Sequence, residues 1–245
     1  MTAGRLGGRS PEELRHIDII AGVAPNAEGS ALIKMGNTHV LCTATVEEKV
    51  PGWMKGRGAG WVTAEYSMLP RATKQRTQRE AVQGKQGGRT VEIQRLIGRS
   101  LRSVVNLKAL GERQIIIDCD VIQADGGTRC ASITGGYVAL AQALKRMRDQ
   151  GRLSRDPLDA AVAAVSVGVV RGIPLLDIDY SEDSAADVDF NVVMTNQQAF
   201  VEIQGTAEQS PFSHGTLTEL LILASTGLDG LFEAQNKAIS RFQAT

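Results

Sequence analysis

One stretch constrains the fold more than any other: Ile115–Gly136, IIIDCDVIQADGGTRCASITGG. Its first half is β-branched and too short for an ordinary helix, so it reads as a strand. A period of two places Ile115, Ile117, Cys119 and Val121 on one face, with Asp118 and Asp120 on the other. Asp125-Gly126-Gly127 then supplies turn chemistry. Beyond it, Ile133, Tyr137, Leu140, Leu144 and Met147 recur at helical spacing. The helix therefore opens at Gly127, Thr128 and Arg129. Open N–H groups, the positive end of the helix dipole and a guanidinium meet there, which is the make-up of an anion site.

The remaining chain alternates less regularly. Ser30–Met35 and His39–Val46 flank Gly36-Asn37 and predict a hairpin. His16–Ile20, Trp61–Leu69, Ala161–Val170 and Ile173–Tyr180 read as further extended segments, and Val188–Met194 with Ala199–Gln204 as a second hairpin. From Thr216 the pattern is helical, with a break expected at Gly227. Strands and helices are mixed, so the class is α+β. Residues 1–15, polar and Gly-rich, predict a flexible or partner-bound arm. The polar run Gly151–Pro157 is a connection with no shift of composition across it, and the chain is expected to form a single domain over residues 1–245.

Pro70–Arg89 carries Arg71, Lys74, Arg76, Arg79, Lys85 and Arg89 against one acid, Glu80. Such a run is a solvated loop or an electrostatic track for a phosphate backbone; lacking aromatics, it would grip phosphates and not stack bases. The formal net charge of the whole chain is zero, so any nucleic-acid partner must be read by a local patch of this kind. The run ends in Gly87-Gly88-Arg89-Thr90, with Thr90 expected as the N-cap of a helix bearing Ile93, Leu96, Ile97 and Leu101. Twice, then, two glycines, an arginine and a threonine precede a helix. They are two ordinary caps, or two N-termini converging on one anion. Neither is a Walker loop, because the Lys-Ser/Thr pair is missing.

Asp177, Asp179, Glu182, Asp183, Asp187 and Asp189 crowd a short segment. Asp187, Asp189 and Asn191 share one face of a strand, next to a loop bearing Asp183. They are a solvated acidic loop or hard oxygen ligands suited to magnesium or manganese. Asp118 and Asp120 are a further pair, for a metal or as satisfied carboxylates. The three histidines have no zinc spacing, and neither a G-x-S-x-G elbow nor a G-x-G-x-x-G turn is present. Cys42, Cys119 and Cys130 lack metal or redox spacing and read as reduced thiols of a cytoplasmic protein. No apolar run is long enough to span a membrane, and the N-terminus lacks the apolar core of a signal peptide. An anion site, a carboxylate cluster and a basic run together fit phosphoryl transfer on a polyanion.

The sequence closely resembles bacterial ribonuclease PH, a phosphate-dependent 3′-to-5′ exoribonuclease family. GWVTAEY at Gly60–Tyr66, GKQGGRT at Gly84–Thr90, EIQRLIGRSL at Glu92–Leu101, DCDVIQADGGTR at Asp118–Arg129, EDSAA at Glu182–Ala186 and IQGTA at Ile203–Ala207 carry the likeness. The resemblance implies a fold like the second domain of ribosomal protein S5, with mixed sheets packed by helices, and a homohexameric ring built as a trimer of dimers. It implies phosphate binding by Arg89, Gly127, Thr128 and Arg129. It implies catalysis and metal binding by Asp183 and Asp189, and contact of Arg71, Arg76 and Arg79 with RNA. Inorganic phosphate would be co-substrate and magnesium, or manganese, the cofactor. The task implied is trimming precursor tRNA and other RNA 3′ ends, reversibly, with release of nucleoside diphosphates. A hydrolytic metal-dependent exonuclease and a non-catalytic RNA-binding ring subunit are the rival readings. Cys130 stands beside the phosphate turn where the family is expected to carry Thr, a point of expected oxidation sensitivity.

Overall fold

A computed structural model describes residues 5, 8–208 and 210–243. A five-stranded sheet has the order β1-β2-β3-β5-β4, from β1 (Ile17–Ala21), β2 (Gly29–Met35), β3 (Thr38–Glu47), β4 (Trp61–Met68) and β5 (Gln114–Gln123). All its pairings are antiparallel except β4 with β5. The second sheet, entirely antiparallel, has the order β7-β6-β8-β9, from β6 (Val162–Val170), β7 (Ile173–Leu176), β8 (Val188–Thr195) and β9 (Phe200–Ala207). The helices are α1 (Glu80–Gln83), α2 (Gly88–Arg102), α3 (Leu107–Leu110), α4 (Thr128–Asp149), α5 (Tyr180–Asp183) and α6 (His214–Gln243). This is the expected α+β architecture of mixed sheets covered by helices.

Helix α4 lies against β2 and β3 on one side and β6 on the other, while α6 packs on β6 and β7 and reaches β1. The apolar face predicted for α4 is buried, but so is nearly every other residue from Thr128 to Leu144. Small residues make that possible. A Cβ at Gly135 would come within 2.7 Å of Ile33 Cγ2, and one at Gly29 within 2.0 Å of the Ala139 carbonyl oxygen. The alternation expected in β5 is confirmed: Ile115, Ile117, Cys119 and Val121 are buried, and Asp118 and Asp120 are not.

Several expectations change. Gly227 does not break the last helix, which runs unbroken through α6; a Cβ there would meet Leu176 Cδ1 at 2.5 Å, so the glycine admits β7 and its helical propensity is secondary. The extended segment after Gly172 stops at Leu176, because Asp177 turns into a left-handed conformation with φ of 50°. Asp183 sits on the short helix α5 and not on a loop. The cap of α2 is Gly87, with Thr90 inside the first turn.

The arm also differs from expectation. Residues 1–4, 6 and 7 lie outside the described residues, but Arg5 and Arg9 ion-pair with Glu182, and Arg15 with Asp177. The arm is thus held by the acidic segment of its own chain.

Candidate functional site

The turn that opens α4 is shaped by two glycines in left-handed conformations, with φ of 76° at Gly126 and 66° at Gly127. At Gly126 a side chain is excluded twice over, because a Cβ would lie 2.7 Å from the Asp179 carbonyl carbon. The turn therefore rests directly on the backbone that leads into α5. Gly127 is the N-cap of α4 and brings no side chain to bond the first-turn N–H groups. The Thr128 hydroxyl pairs with Tyr66 Oη at 2.9 Å, across from β4. Arg129 is aimed by two partners: its Nη1 donates to Gln204 Oε1 at 2.8 Å and lies 3.5 Å from Glu92 Oε1.

Helix α2 begins without a side-chain cap as well. Glu80, the lone acid of the basic run, anchors that start: its Oε1 accepts from the Gly87 N–H at 3.1 Å and from Thr90 Oγ1 at 2.7 Å. Arg89 follows immediately, exposed, and forms no salt bridge among the described residues.

The acidic segment divides into two functions. Asp179 caps α5, accepting from the N–H groups of Ser181 and Glu182 while Glu182 accepts from the Asp179 N–H. Asp177, Asp179 and Glu182 are turned toward the arm arginines. Asp183, at the end of α5, and Asp189, on β8, line one cavity together instead. Partial burial pushes both carboxyls above their ordinary range, and repulsion from Asp183 raises Asp189 further. Arg89 and Arg129 pull Asp183 back down, and Arg129 does the same for Asp189.

These pieces converge. Arg89, Gly127, Thr128, Arg129, Asp183 and Asp189 line one polar cavity of about 70 Å³, the scale of a few waters or one small oxyanion. Four phosphate-site residues and two carboxylates predicted from sequence are therefore brought together, and Asp187 lies outside that lining. The 3′ exoribonuclease family, domain 1, matches residues 13–145, and the same family's domain 2 matches residues 160–227.

The chain belongs to the 3′ exoribonuclease family.

Solved structures share the fold of this exoribonuclease-family chain. A chain of the Archaeoglobus fulgidus exosome with RNA bound to the active site superposes with a TM-score of 0.80 at 22% identity, covering 94% of this chain and 92% of that one. Rice (Oryza sativa) Rrp46 superposes with a TM-score of 0.77 at 18% identity, covering 98% of this chain and 100% of that one.

In this family member the basic run borders a second, larger cavity of about 900 Å³ that meets the first at Arg89. Arg79 and Lys85 face it, as do Asp118 and Asp120 from the exposed face of β5. Burial, then repulsion from Glu65 and Asp120, raises the Asp118 carboxyl. Asp118 and Asp120 are thus apart from the Asp183–Asp189 pair, and no cluster of three or more potential metal ligands occurs among the described residues. Arg71 and Arg76 are exposed and lie outside both cavity linings. Cys130 is buried and donates to Asn191 Oδ1 at 3.3 Å. Burial pushes its thiol up to about 12, so it stays protonated and poorly reactive, against the expected oxidation sensitivity. Tyr66, Gln204 and Ser166 also belong to the site, and no local sequence signal marks them. Tyr66 and Gln204 act through partners on distant segments, which periodicity does not reveal. No helix among the described residues is long and apolar enough to cross a membrane.

Proposed function

We propose that this protein is a phosphorolytic 3′-to-5′ exoribonuclease of the ribonuclease PH type. It trims precursor tRNA in the cytoplasm and works as a homohexameric ring. The observation that carries the reading is the convergence of Arg89 and Arg129, each at the start of a different helix, on one small cavity shared with Asp183 and Asp189. Two guanidiniums and an uncapped helix turn around an oxyanion-sized space go beyond what activation of a water molecule requires. A phosphorolytic enzyme needs them to hold orthophosphate as nucleophile.

Arg89 and Arg129 bind the phosphate, with the first-turn N–H groups near Thr128 completing its shell. Tyr66 holds Thr128, and Gln204 with Glu92 holds Arg129, so the anion meets preorganised donors. A phosphate oxygen attacks the last phosphodiester of the RNA. The bond from that phosphorus to the 3′ oxygen of the shortened chain breaks, and the terminal nucleotide leaves as a diphosphate. A phosphodiester is exchanged for a phosphoanhydride, so the reaction runs in both directions.

The donor set also fits magnesium or manganese. Asp183 and Asp189 are hard oxygen donors that repel one another, and two carboxylates completed by substrate phosphate and water are a common magnesium arrangement. Bound there, the ion would offset negative charge on the phosphoryl oxygens. Asp183 serves either as ligand or as proton donor to the departing oxygen; a change in metal dependence in Asp183→Asn separates the two. The basic run, with Arg71, Arg76 and Arg79, supplies an electrostatic track for the RNA backbone.

The test is incubation of a tRNA precursor with the full chain, with and without inorganic phosphate. Release of nucleoside diphosphate that depends on phosphate supports the reading. Monophosphate release without phosphate supports a hydrolase, and no release supports a non-catalytic ring subunit.

A further inference from the structure

Ser166 lies on β6, opposite Asn191 on β8, and lines the same cavity as Arg89 and Arg129. It is only 4% exposed, and its Oγ finds no hydrogen-bond partner. Buried hydroxyls ordinarily have one, because an unmade bond leaves the desolvation of the group uncompensated. The surroundings do not supply a partner. Asn191 Oδ1 is occupied by the Cys130 thiol, and the Thr128 hydroxyl by Tyr66. The Ser166 carbonyl is used elsewhere, accepting from the Asp177 N–H at 2.7 Å.

The hydroxyl is also close to the phosphate turn. A Cβ built on Gly127 would lie 3.6 Å from Ser166 Oγ, an ordinary contact that leaves the glycine face and the hydroxyl side by side. Residue 166 is the only hydroxyl in the run Val162–Val170, where every other side chain is aliphatic or glycine.

We propose that Ser166 is a further phosphate-binding residue, its Oγ–H donating to an oxygen of the orthophosphate held by Arg89 and Arg129. The proposal rests on the phosphorolytic reading above. Ser166 lines the cavity together with the two arginines and the first turn of α4. A hydrogen bond to an anion is stronger than a neutral one, and its loss is expected to weaken phosphate binding about tenfold.

The test is titration of the full chain with inorganic phosphate, by calorimetry and by thermal shift, for the parent, Ser166→Ala and Ser166→Thr. In the absence of phosphate, Ser166→Ala should melt no lower than the parent, since no bond within the protein is lost. Its phosphate affinity should fall about tenfold, with a matching rise in the KM for phosphate and little change in kcat. Ser166→Thr keeps the hydroxyl and should recover most of the affinity. Unchanged phosphate affinity in Ser166→Ala would overturn the proposal. So would a lower melting temperature without phosphate together with unchanged affinity, the mark of a hydroxyl satisfied by structural water. If the parent binds no phosphate while remaining folded, the phosphorolytic reading itself fails. Should Ser166→Ala fail to fold, the comparison of parent with Ser166→Thr decides: loss of affinity despite the retained hydroxyl counts against the proposal.

Discussion

Arg15 Nε and Nη2 donate to the two carboxylate oxygens of Asp177 at 2.9 and 2.6 Å, and both residues are buried. The same guanidinium donates through Nη1 to the Asp125 carbonyl at 2.6 Å. One side chain thereby joins the turn that opens α4 to the segment that leads into α5, both of which border the cavity lined by Arg89 and Arg129. Asp177 has a left-handed backbone, and its partner compensates both its charge and its position.

Arg15→Gln leaves the Asp177 carboxylate buried without a cation. The expected loss is about 3–5 kcal/mol, the range for breaking a buried pair on one side. Urea unfolding of Arg15→Gln against the parent measures it. A midpoint unchanged within error would show that the pair does not brace the fold.

Arg129→Ala removes one of the two guanidiniums proposed to hold the reacting phosphate. Phosphorolysis is expected to fall by about two decades, near 3 kcal/mol. Gln204→Ala keeps the charge and frees its orientation, so a smaller loss, about tenfold, is expected. Single-turnover rates at saturating RNA rank the two. A rate for Arg129→Ala within a factor of a few of the parent would refute the phosphate assignment.

The carboxyl pair predicts a pH effect in metal-free protein. Both groups titrate above their unfolded value of 3.8. Between that value and the raised one the folded state binds more protons than the unfolded state, so the pair's contribution declines as pH rises through this window. Removing one charge relieves the repulsion. Asp189→Asn should therefore melt higher than the parent at neutral pH while losing activity, and the difference should shrink on acidification below 3.8. Differential scanning calorimetry across pH tests the sign.

Gly126→Ala is expected to be poorly tolerated. The residue would need a left-handed backbone and would press its methyl against Asp179 at 2.7 Å. We expect a loss above about 2 kcal/mol and a displaced Gly126-Gly127 turn. Equal thermal stability of Gly126→Ala and parent would contradict the close approach.

Arg76 is exposed and forms no salt bridge among the described residues. Arg76→Ala should leave single-turnover rates nearly intact at saturating RNA. It should weaken RNA binding and reduce the slope of log affinity against log salt by about one. An unchanged slope would remove Arg76 from the track.

Local pattern was enough for much of this. The alternation in β5, the glycine turn after it and the apolar spacing beyond it each depend on neighbours in the chain, and each is found where the residues place it. The paired Gly-Gly turns and the acidic segment were also visible, because composition and charge are local. What the segment's six carboxylates do was not. Three face arginines of the arm and two face arginines of the cavity. Gly227 looks like a helix breaker in one dimension and is a packing notch for Leu176 in three.

The amino-acid order alone determined that a strand, a tight glycine turn and a helix would follow one another and leave an open helix N-terminus beside Arg129, since turn geometry and amphipathic spacing are properties of a few consecutive residues. Only the tertiary structure decided which groups share that site. Arg89, Ser166, Asp183 and Asp189 reach Arg129 through contacts between separate elements, and such contacts arise from packing two sheets around α4, which no local pattern encodes.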